Sequence, residues 1–395
     1  MENRSVVILV AGKGTRLEPL TKTVPKPLIK VAGHSILYHN MKSLAPFVNE
    51  YILVVGYMEE QIRAEFGDSF EGRDIHYVVQ EQQLGTGHAM SICEGAIHNE
   101  NFFMINGDDI YDPSIFEQVC QFPRAVAGKI VEEWKPFGIL QTRADGTLEK
   151  IVEKPKQYVG NTANIGVYLF DKKIFDYFSN APLSLRGEYE ITDIISRYCS
   201  ENAVESVPTL GHWFAIGYPW HILLANQALM EKVKGEILGE IEPNVTIKGN
   251  VMIGKGTVIK SGTYIDGNVM IGENCVIGPN CYIRGTVAIG DNCKLGNAVE
   301  IEHSSIGNKV NIEHLSFIGY SVLGNNIILG GGTVTADRRH DRQPIRVNIK
   351  EDLVDTGMFH LGAIIGDHVR TGINTSIYPG RKLHYHSFTV PGEIV

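Results

Sequence analysis

The chain has 395 residues, 43% of them hydrophobic, with 36 Lys and Arg against 45 Asp and Glu and a formal net charge of −9. That length predicts two domains rather than one, and the acidic balance excludes a general nucleic-acid binder. No apolar run reaches the length of a membrane span, no cleavable signal precedes the first apolar run, and the six cysteines include no Cys-x-x-Cys pair. The expectation is a cytoplasmic protein with reduced thiols, neither a zinc ribbon nor a disulfide scaffold.

In chain order, the first apolar run is "SVVILV" at residues 5–10, followed by a candidate helix over 36–44. Strands "YILVV", "IHYVV" and "FFMIN" follow, with a second candidate helix over 87–97, and then a strand "NIGVYLF". Apolar strands separated by helices predict a mostly parallel sheet covered on both faces. Ligands then bind beyond the carboxyl ends of the strands. Two such ends carry chemistry. The first opens "VAGKGTRLEPLTKTVPKPL", in which Gly12 and Gly14 lie close to Thr15, Arg16 and Lys26. It fits neither the Walker pattern nor the dinucleotide fingerprint. Its backbone can still wrap a triphosphate that Arg16 and Lys26 neutralise, and prolines on both sides stiffen the chain at Lys26. The second end is "INGDD", where Asp108 is a natural Mg²⁺ ligand. A triphosphate cradle, two cations and a metal carboxylate point to nucleotidyl transfer.

From residue 241 the pattern changes to a six-residue period. Its heads are Ile247, Ile253, Ile259, Ile265, Ile271, Ile277, Ile283, Ile289, Leu295 and Ile301. Four residues after most heads stands a small residue, among them Val251, Thr257, Thr263, Cys275, Cys281 and Cys293. So short a period predicts a solenoid of stacked parallel strands, with the three cysteines as core positions. The count slips near His303 and resumes at Ile306. A non-repetitive excursion runs over residues 335–360, and its start is basic: Arg338, Arg339, His340, Arg342 and Arg346. It reads either as a solvated loop or as a site for phosphate groups or a neighbouring subunit.

The opening loop resembles that of sugar-1-phosphate nucleotidylyltransferases. "QEQQLGTGHAM" is similar to the uridine-recognition segment of the bifunctional N-acetylglucosamine-1-phosphate uridylyltransferase/glucosamine-1-phosphate acetyltransferase family. "NGDD", "VEKP", "NIGVYLF", "GEYEITDII" and "GYPW" match its later motifs, in a form that looks like the archaeal branch. The resemblance covers nearly the whole chain. It implies a Rossmann-like α/β nucleotidyltransferase domain over 1–229, a linker over 230–240, and an all-β left-handed parallel β-helix of hexapeptide repeats over 241–395. It implies that Ala11, Gly12 and Gln80 contact the base, with Gly14, Thr15, Gly85 and Thr86 completing the nucleotide site. Arg16 and Lys26 contact phosphates, Asp108 binds Mg²⁺, and Gly138, Glu153 and Asn164 hold the sugar phosphate. "IEHLSFIGYSVLG" resembles the acetyltransferase segment, making His314 the general base toward acetyl-CoA. A homotrimer assembled through the β-helix is implied by resemblance alone.

Departures accompany the match. Ala215 stands where the family carries a second metal ligand. Phe317 replaces a tyrosine, Ile328 and Asp337 replace asparagines, and Arg338 and Arg339 open the basic stretch. UTP is the expected nucleotide. Two alternatives stay open: a monofunctional dTTP- or GTP-dependent enzyme whose β-helix only assembles it, and a catalytically weak regulatory homologue.

Overall fold

The structure is a computed structural model that describes residues 4–179, 183–184 and 187–395. The chain divides into two compact units. One comprises Met1–Lys13, Pro25–Leu28 and Ile36–Ala215, and the other Gly14–Val24, Ile29–Ser35 and Ile216–Val395. Among the described residues no helix is long and apolar enough to cross a membrane.

The first unit is built on a ten-stranded sheet. Ser5–Leu9 lies at its centre, parallel to Glu50–Val55 on one side and to Asn101–Asn106 on the other, and Arg73–Val79 continues the parallel part. The first three strands are buried because they are mostly Val, Ile, Leu, Met and Phe, whereas Arg73–Val79 buries only Ile75. Beyond Asn101–Asn106 the direction reverses. Thr162–Asp171 runs antiparallel to it, and Gly138–Thr142 forms a hairpin with Leu148–Glu153. The sheet is therefore mixed: four adjacent strands pair in parallel, and a further parallel pair, Glu205–Pro208 with Ala125–Ile130, flanks the antiparallel part. The helix expected at 36–44 is Ile36–Leu44. The one expected at 87–97 is shorter: it covers Thr86–Ser91, followed by a separate turn at Glu94–Ala96. Ser91 Oγ donates to the carbonyl of His88, and Gly95 follows, so side-chain competition and a flexible residue end the run.

The second unit contains parallel ladders whose register explains the six-residue period. Ile247 pairs with Ile265 and Ile265 with Ile283, so three six-residue units close one coil of a parallel β-helix. The isoleucine heads form a continuous buried stack from Ile253 to Ile301, and each buried side chain stabilises by about 1.5–3 kcal/mol. The small column has a second task besides avoiding crowding. Thr257 Oγ1 donates to the carbonyl of Gly272, and the thiols of Cys275, Cys281 and Cys293 donate to those of Gly290, Gly296 and Gly307. The corner residue just before this column is left-handed, as at Asn274, Asn280 and Asn292, with φ near 55–58°. Asn and Gly recur there because they accept that conformation at least cost.

The slip near His303 is one missing residue. Tyr282 pairs with Glu300, but Ala288 pairs with Ser305, and the next coils keep the shorter spacing. The excursion is not a loose loop. It folds into an antiparallel hairpin, Arg346–Ile349 with Asp352–Asp355, and buries Ile345, Val347 and Ile349.

Candidate active sites

In the first unit the carboxyl ends of the parallel strands bring several expected residues together. Gly107 crosses directly over the end of the central strand: its N–H donates to the carbonyl of Leu9 at 3.0 Å. A side chain there would meet Val10 Cγ1 at 2.3 Å, so only glycine lets the chain pass. Asp108 follows, and the buried Lys26 ammonium donates to its carboxylate at 2.7 Å. The Asp108 side chain is 45% exposed, which leaves oxygen surface toward solvent.

Gln80, at the end of its strand, is buried and donates through Nε2 to the carbonyl of Gly85 at 3.2 Å. Gly85 has φ +100°, and a Cβ there would lie 2.6 Å from the carbonyl oxygen of Tyr189. The Gly87 N–H donates to that same oxygen at 2.7 Å, so the "GTG" segment lies flat on the "GEYE" segment. Thr86 Oγ1 accepts from the N–H of Ile191 and thereby anchors the helix Ile191–Glu201. Ala11 is buried, and its carbonyl accepts from Gln83 Nε2 at 2.9 Å. A Cβ on Gly12 would meet nothing within 4 Å, so its backbone borders open space.

Gly138, Glu153 and Asn164 meet on adjacent strands. Gly138 pairs directly with Glu153, and a Cβ on it would sit 2.8 Å from Glu153 Oε2 and 3.7 Å from Asn164 Cβ. Asn164 Nδ2 donates to the Tyr168 hydroxyl at 2.8 Å, and burial pushes that phenol well above its ordinary range.

Ala215 pairs with Asp109 across the short ladder between Trp213–Ala215 and Asp109–Tyr111. Directly opposed residues project to the same face. Position 215 therefore adjoins Asp109, next in sequence to Asp108. Trp213 Nε1 donates to Asp109 Oδ2 at 2.9 Å, so that oxygen is already engaged.

In the second unit, Thr15–Leu17 forms a single 3₁₀ turn after Gly14, whose φ is +62° and whose carbonyl accepts from Thr21 Oγ1. The exposed Arg16 guanidinium lies 5.7 Å from the centre of the Tyr218 ring. Tyr218 thus supports Arg16 by a cation–π contact. The sequence marked "GYPW" as a motif without giving it this task.

His314 is exposed on a coil corner, and its imidazole lies over Gly331, where a Cβ would come 3.0 Å from Nε2. The Phe317 ring packs over Gly319, where a Cβ would be 2.7 Å from Phe317 Cζ and 3.7 Å from Asp337 Cβ. Phe317 and Asp337 are therefore neighbours. Ile328 lies on another face, paired with Asn311, and is exposed. Asp337 Oδ2 is 2.8 Å from His360 Nδ1, and that ring packs at a tilt of 34° against Tyr320 with centroids 4.8 Å apart. Arg338 Nε lies 3.2 Å from the same nitrogen. His360 carried no sequence signal, because the excursion separates it from Asp337. Arg339 binds Asp341, its Nε donating at 2.8 Å, and also borders a cleft of about 820 Å³. Arg346, Lys350, Arg381 and Lys382 line that cleft too, together with Thr15 and Glu18. Burial lowers the pKa of the Lys382 ammonium, partly offset by Glu18.

The nucleotidyl transferase family matches residues 5–232, and the GMPPB C-terminal domain family matches residues 265–385. The "Bifunctional protein GlmU" of Methanococcus maripaludis strain C7 is 43% identical over 383 residues, 96% of this chain and 92% of its own length. The "Bifunctional sugar-1-phosphate nucleotidylyltransferase/acetyltransferase" of Sulfurisphaera tokodaii is 35% identical over 396 residues, 98% of this chain and 96% of its own. A crystal structure of UDP-glucose pyrophosphorylase complexed with UDP-glucose superposes with a TM-score of 0.54 at 24% identity, covering 58% of this chain and all of that one. At that identity it establishes the Rossmann-like fold alone. The chain belongs to the nucleotidyl transferase family, in the branch of the archaeal bifunctional GlmU proteins.

Proposed function

We propose that the chain makes a nucleotide sugar through two activities. One acetylates a hexosamine 1-phosphate with acetyl-CoA. The other transfers a nucleotidyl group, from UTP ahead of dTTP or GTP, to a sugar 1-phosphate and releases pyrophosphate. Residues 1–229 carry the nucleotidyl transfer, and residues 241–395, as a left-handed β-helix after a linker over 230–240, carry the acetyl transfer. The observation that supports this most strongly is the buried Lys26 ammonium paired with Asp108 at the end of a parallel strand.

In the nucleotidyl half, Ala11 and Gln80 take the base. Gln80 uses Nε2 on Gly85 and keeps Oε1 for a ring N–H. Gly12 borders the base as well, the backbone of Gly14 and Thr15 receives the phosphates, and Gly85 and Thr86 lie beside the nucleoside. Gly138, Glu153 and Asn164 hold the sugar 1-phosphate. Its phosphate oxygen attacks the α-phosphorus in line, the bond to the bridging oxygen breaks, and pyrophosphate leaves. Arg16 and Lys26 balance the charge on the moving group. The half-exposed Asp108 carboxylate suits Mg²⁺, which takes one or two carboxylates together with phosphate oxygens and would neutralise triphosphate charge.

In the acetyl half, His314 accepts a proton from the hexosamine amine as its nitrogen attacks the thioester carbonyl. The carbon–sulfur bond then breaks and coenzyme A leaves as the thiol. Phe317 and Asp337 border the acceptor, and Ile328 offers it no hydrogen bond. Neither Phe317 nor Asp337 donates to a phosphate, so the acceptor's phosphate falls to Arg338, Arg339 and the cations of the cleft, which also suit coenzyme A. Exposed apolar side chains at Leu315, Ile373, Phe388 and Val390 support assembly through the β-helix, for which we propose a cytoplasmic homotrimer.

Ala215 favours a second reading, a homologue with weak nucleotidyl transfer and a regulatory role. Two assays separate the possibilities: pyrophosphate release from UTP, dTTP and GTP with several sugar 1-phosphates, and thiol release from acetyl-CoA with hexosamine 1-phosphates. Both signals are expected. No pyrophosphate with any pair would favour the regulatory reading, and no thiol release would leave the β-helix as an assembly domain.

A further inference from the structure

The parallel strands of the first unit have a second end, about 17–20 Å from the carboxyl ends for strands of five or six residues. Glu50 opens Glu50–Val55 there, paired in register with Ser5 on one side and Asp74 on the other. His76 lies two residues further along the Arg73–Val79 strand, and His98 lies just ahead of Asn101–Asn106. Glu50 Oε2 is 2.8 Å from His98 Nδ1 and 3.5 Å from His76 Nε2. All three donor atoms lie within 4.8 Å of one another. The two imidazoles meet edge to face with centroids 5.3 Å apart.

The carboxylate is held in a way that leaves one oxygen for this corner. Oε1 accepts from Ser5 Oγ, from the His98 N–H at 3.3 Å and from Asn99 Nδ2 at 3.3 Å. Asn99 Nδ2 in turn lies 3.0 Å from Ser5 Oγ and 2.9 Å from Asn49 Oδ1. This network fixes the carboxylate from behind, as outer partners orient a metal ligand. Oε2 faces only the two imidazoles among the described residues. The Glu50 side chain is 10% exposed, whereas His76 and His98 are 40% and 63% exposed, so the corner is open to an ion from solvent.

We propose that Glu50 Oε2, His76 Nε2 and His98 Nδ1 form a binding site for a divalent transition-metal ion of the Zn²⁺ class, with a fourth position open to water. Two imidazole nitrogens and one carboxylate are a donor set for Zn²⁺, Co²⁺ or Ni²⁺; Mg²⁺ and Ca²⁺ take oxygen ligands. Tetrahedral Zn²⁺ with bonds of about 2.0–2.1 Å needs donors about 3.3 Å apart. The 3.5 Å pair already meets this, and the 2.8 Å pair must open slightly as the ion replaces the hydrogen bond. Rotation of two exposed histidine side chains supplies that adjustment. The ion would tie together the starts of three parallel strands and act on stability rather than on nucleotidyl transfer.

The test uses the full chain stripped with a chelator and titrated with Zn²⁺ alone, by calorimetry and thermal unfolding, in the presence of excess Mg²⁺. We expect one Zn²⁺ per chain at this site, with a rise in Tm of roughly 5–10 °C at a hundredfold excess over Kd. Co²⁺ in its place should give the intense visible bands of a four-coordinate nitrogen and oxygen site. His76→Ala and His98→Ala should each weaken binding at least tenfold, and the double variant should lose both the Zn²⁺ heat and the Tm rise. Their unfolding in chelator should remain cooperative, with Tm lowered by no more than the loss of one hydrogen bond to Glu50, showing that they fold, and pyrophosphate release with Mg²⁺ should be unchanged. Absence of saturable Zn²⁺ binding to the parent, or binding that persists undiminished in the double variant, would overturn the proposal.

Discussion

Replacing Ala215 by aspartate puts a second carboxylate directly across the ladder from Asp109, which is buried and already bonded to Trp213. Opposed residues in such a ladder have Cα atoms about 4.5–5.5 Å apart, so the two carboxylates would sit about 5 Å apart. Their repulsion is about 3 kcal/mol at an effective dielectric of about 20 and about 0.8 kcal/mol in bulk water. Position 215 is half-buried, so a cost of about 1–2 kcal/mol is expected, a fall in Tm of roughly 2–8 °C. Mg²⁺ bound between residue 215 and Asp108 would remove that repulsion. Thermal unfolding of Ala215→Asp in chelator and in millimolar Mg²⁺ measures this, with pyrophosphate release at limiting Mg²⁺ as the second readout. The expected result is a loss of Tm in chelator, recovery in Mg²⁺, and faster release than the parent. Ala215→Asn adds an oxygen without a charge and should show no chelator-dependent loss. A loss of Tm that Mg²⁺ does not restore, with release unchanged, would refute the idea that residue 215 faces the metal.

Gly138→Ala would set a Cβ 2.8 Å from Glu153 Oε2 and 3.3 Å from Ile151 Cγ2. It should raise KM for the sugar 1-phosphate and leave KM for the nucleotide unchanged, at a stability cost of about 1–3 kcal/mol; equal effects on both KM values would contradict the assigned role. Burial pushes the Cys93 and Cys199 thiols up to about 12 and the Cys281 thiol up to about 11, so at pH 8 they remain protonated. Cys275 and Cys293 are sealed in the coil stack. A thiol reagent at pH 8 should therefore modify Cys120 in the native protein and reach the other five only on unfolding. Native labelling of Cys275, Cys281 or Cys293 at the rate of an open thiol would show that the stack is not a closed core.

The repeat was readable from sequence because its cause is local. Each head and each small residue meets its counterpart one coil away, so a fixed spacing suffices, and the burial of Ile265, Ile283 and Cys281 follows from it. The parallel strands were readable for the same reason, being short apolar runs. The antiparallel half of the sheet was not, because Thr162–Asp171 has the same composition as a parallel strand and its direction depends on the preceding hairpin. In the candidate sites the motif residues were legible, since Gly138, Glu153 and Asn164 stand in recognisable segments. Their supports were not. The partnership of His360 with Asp337 spans the excursion, and that of Trp213 with Asp109 spans more than a hundred residues. Both depend on tertiary proximity. The Glu50, His76 and His98 corner belongs to the same class: three residues on three chain segments, with no common motif.

If one chain carries two independent chemistries, each can be inactivated separately. Thiol release from acetyl-CoA and pyrophosphate release from UTP would be measured side by side on Asp108→Ala, His314→Ala and the parent. Asp108→Ala should lose pyrophosphate release and keep thiol release, and His314→Ala should do the reverse. Thiol release that survives in His314→Ala, or pyrophosphate release that survives in Asp108→Ala, would contradict it.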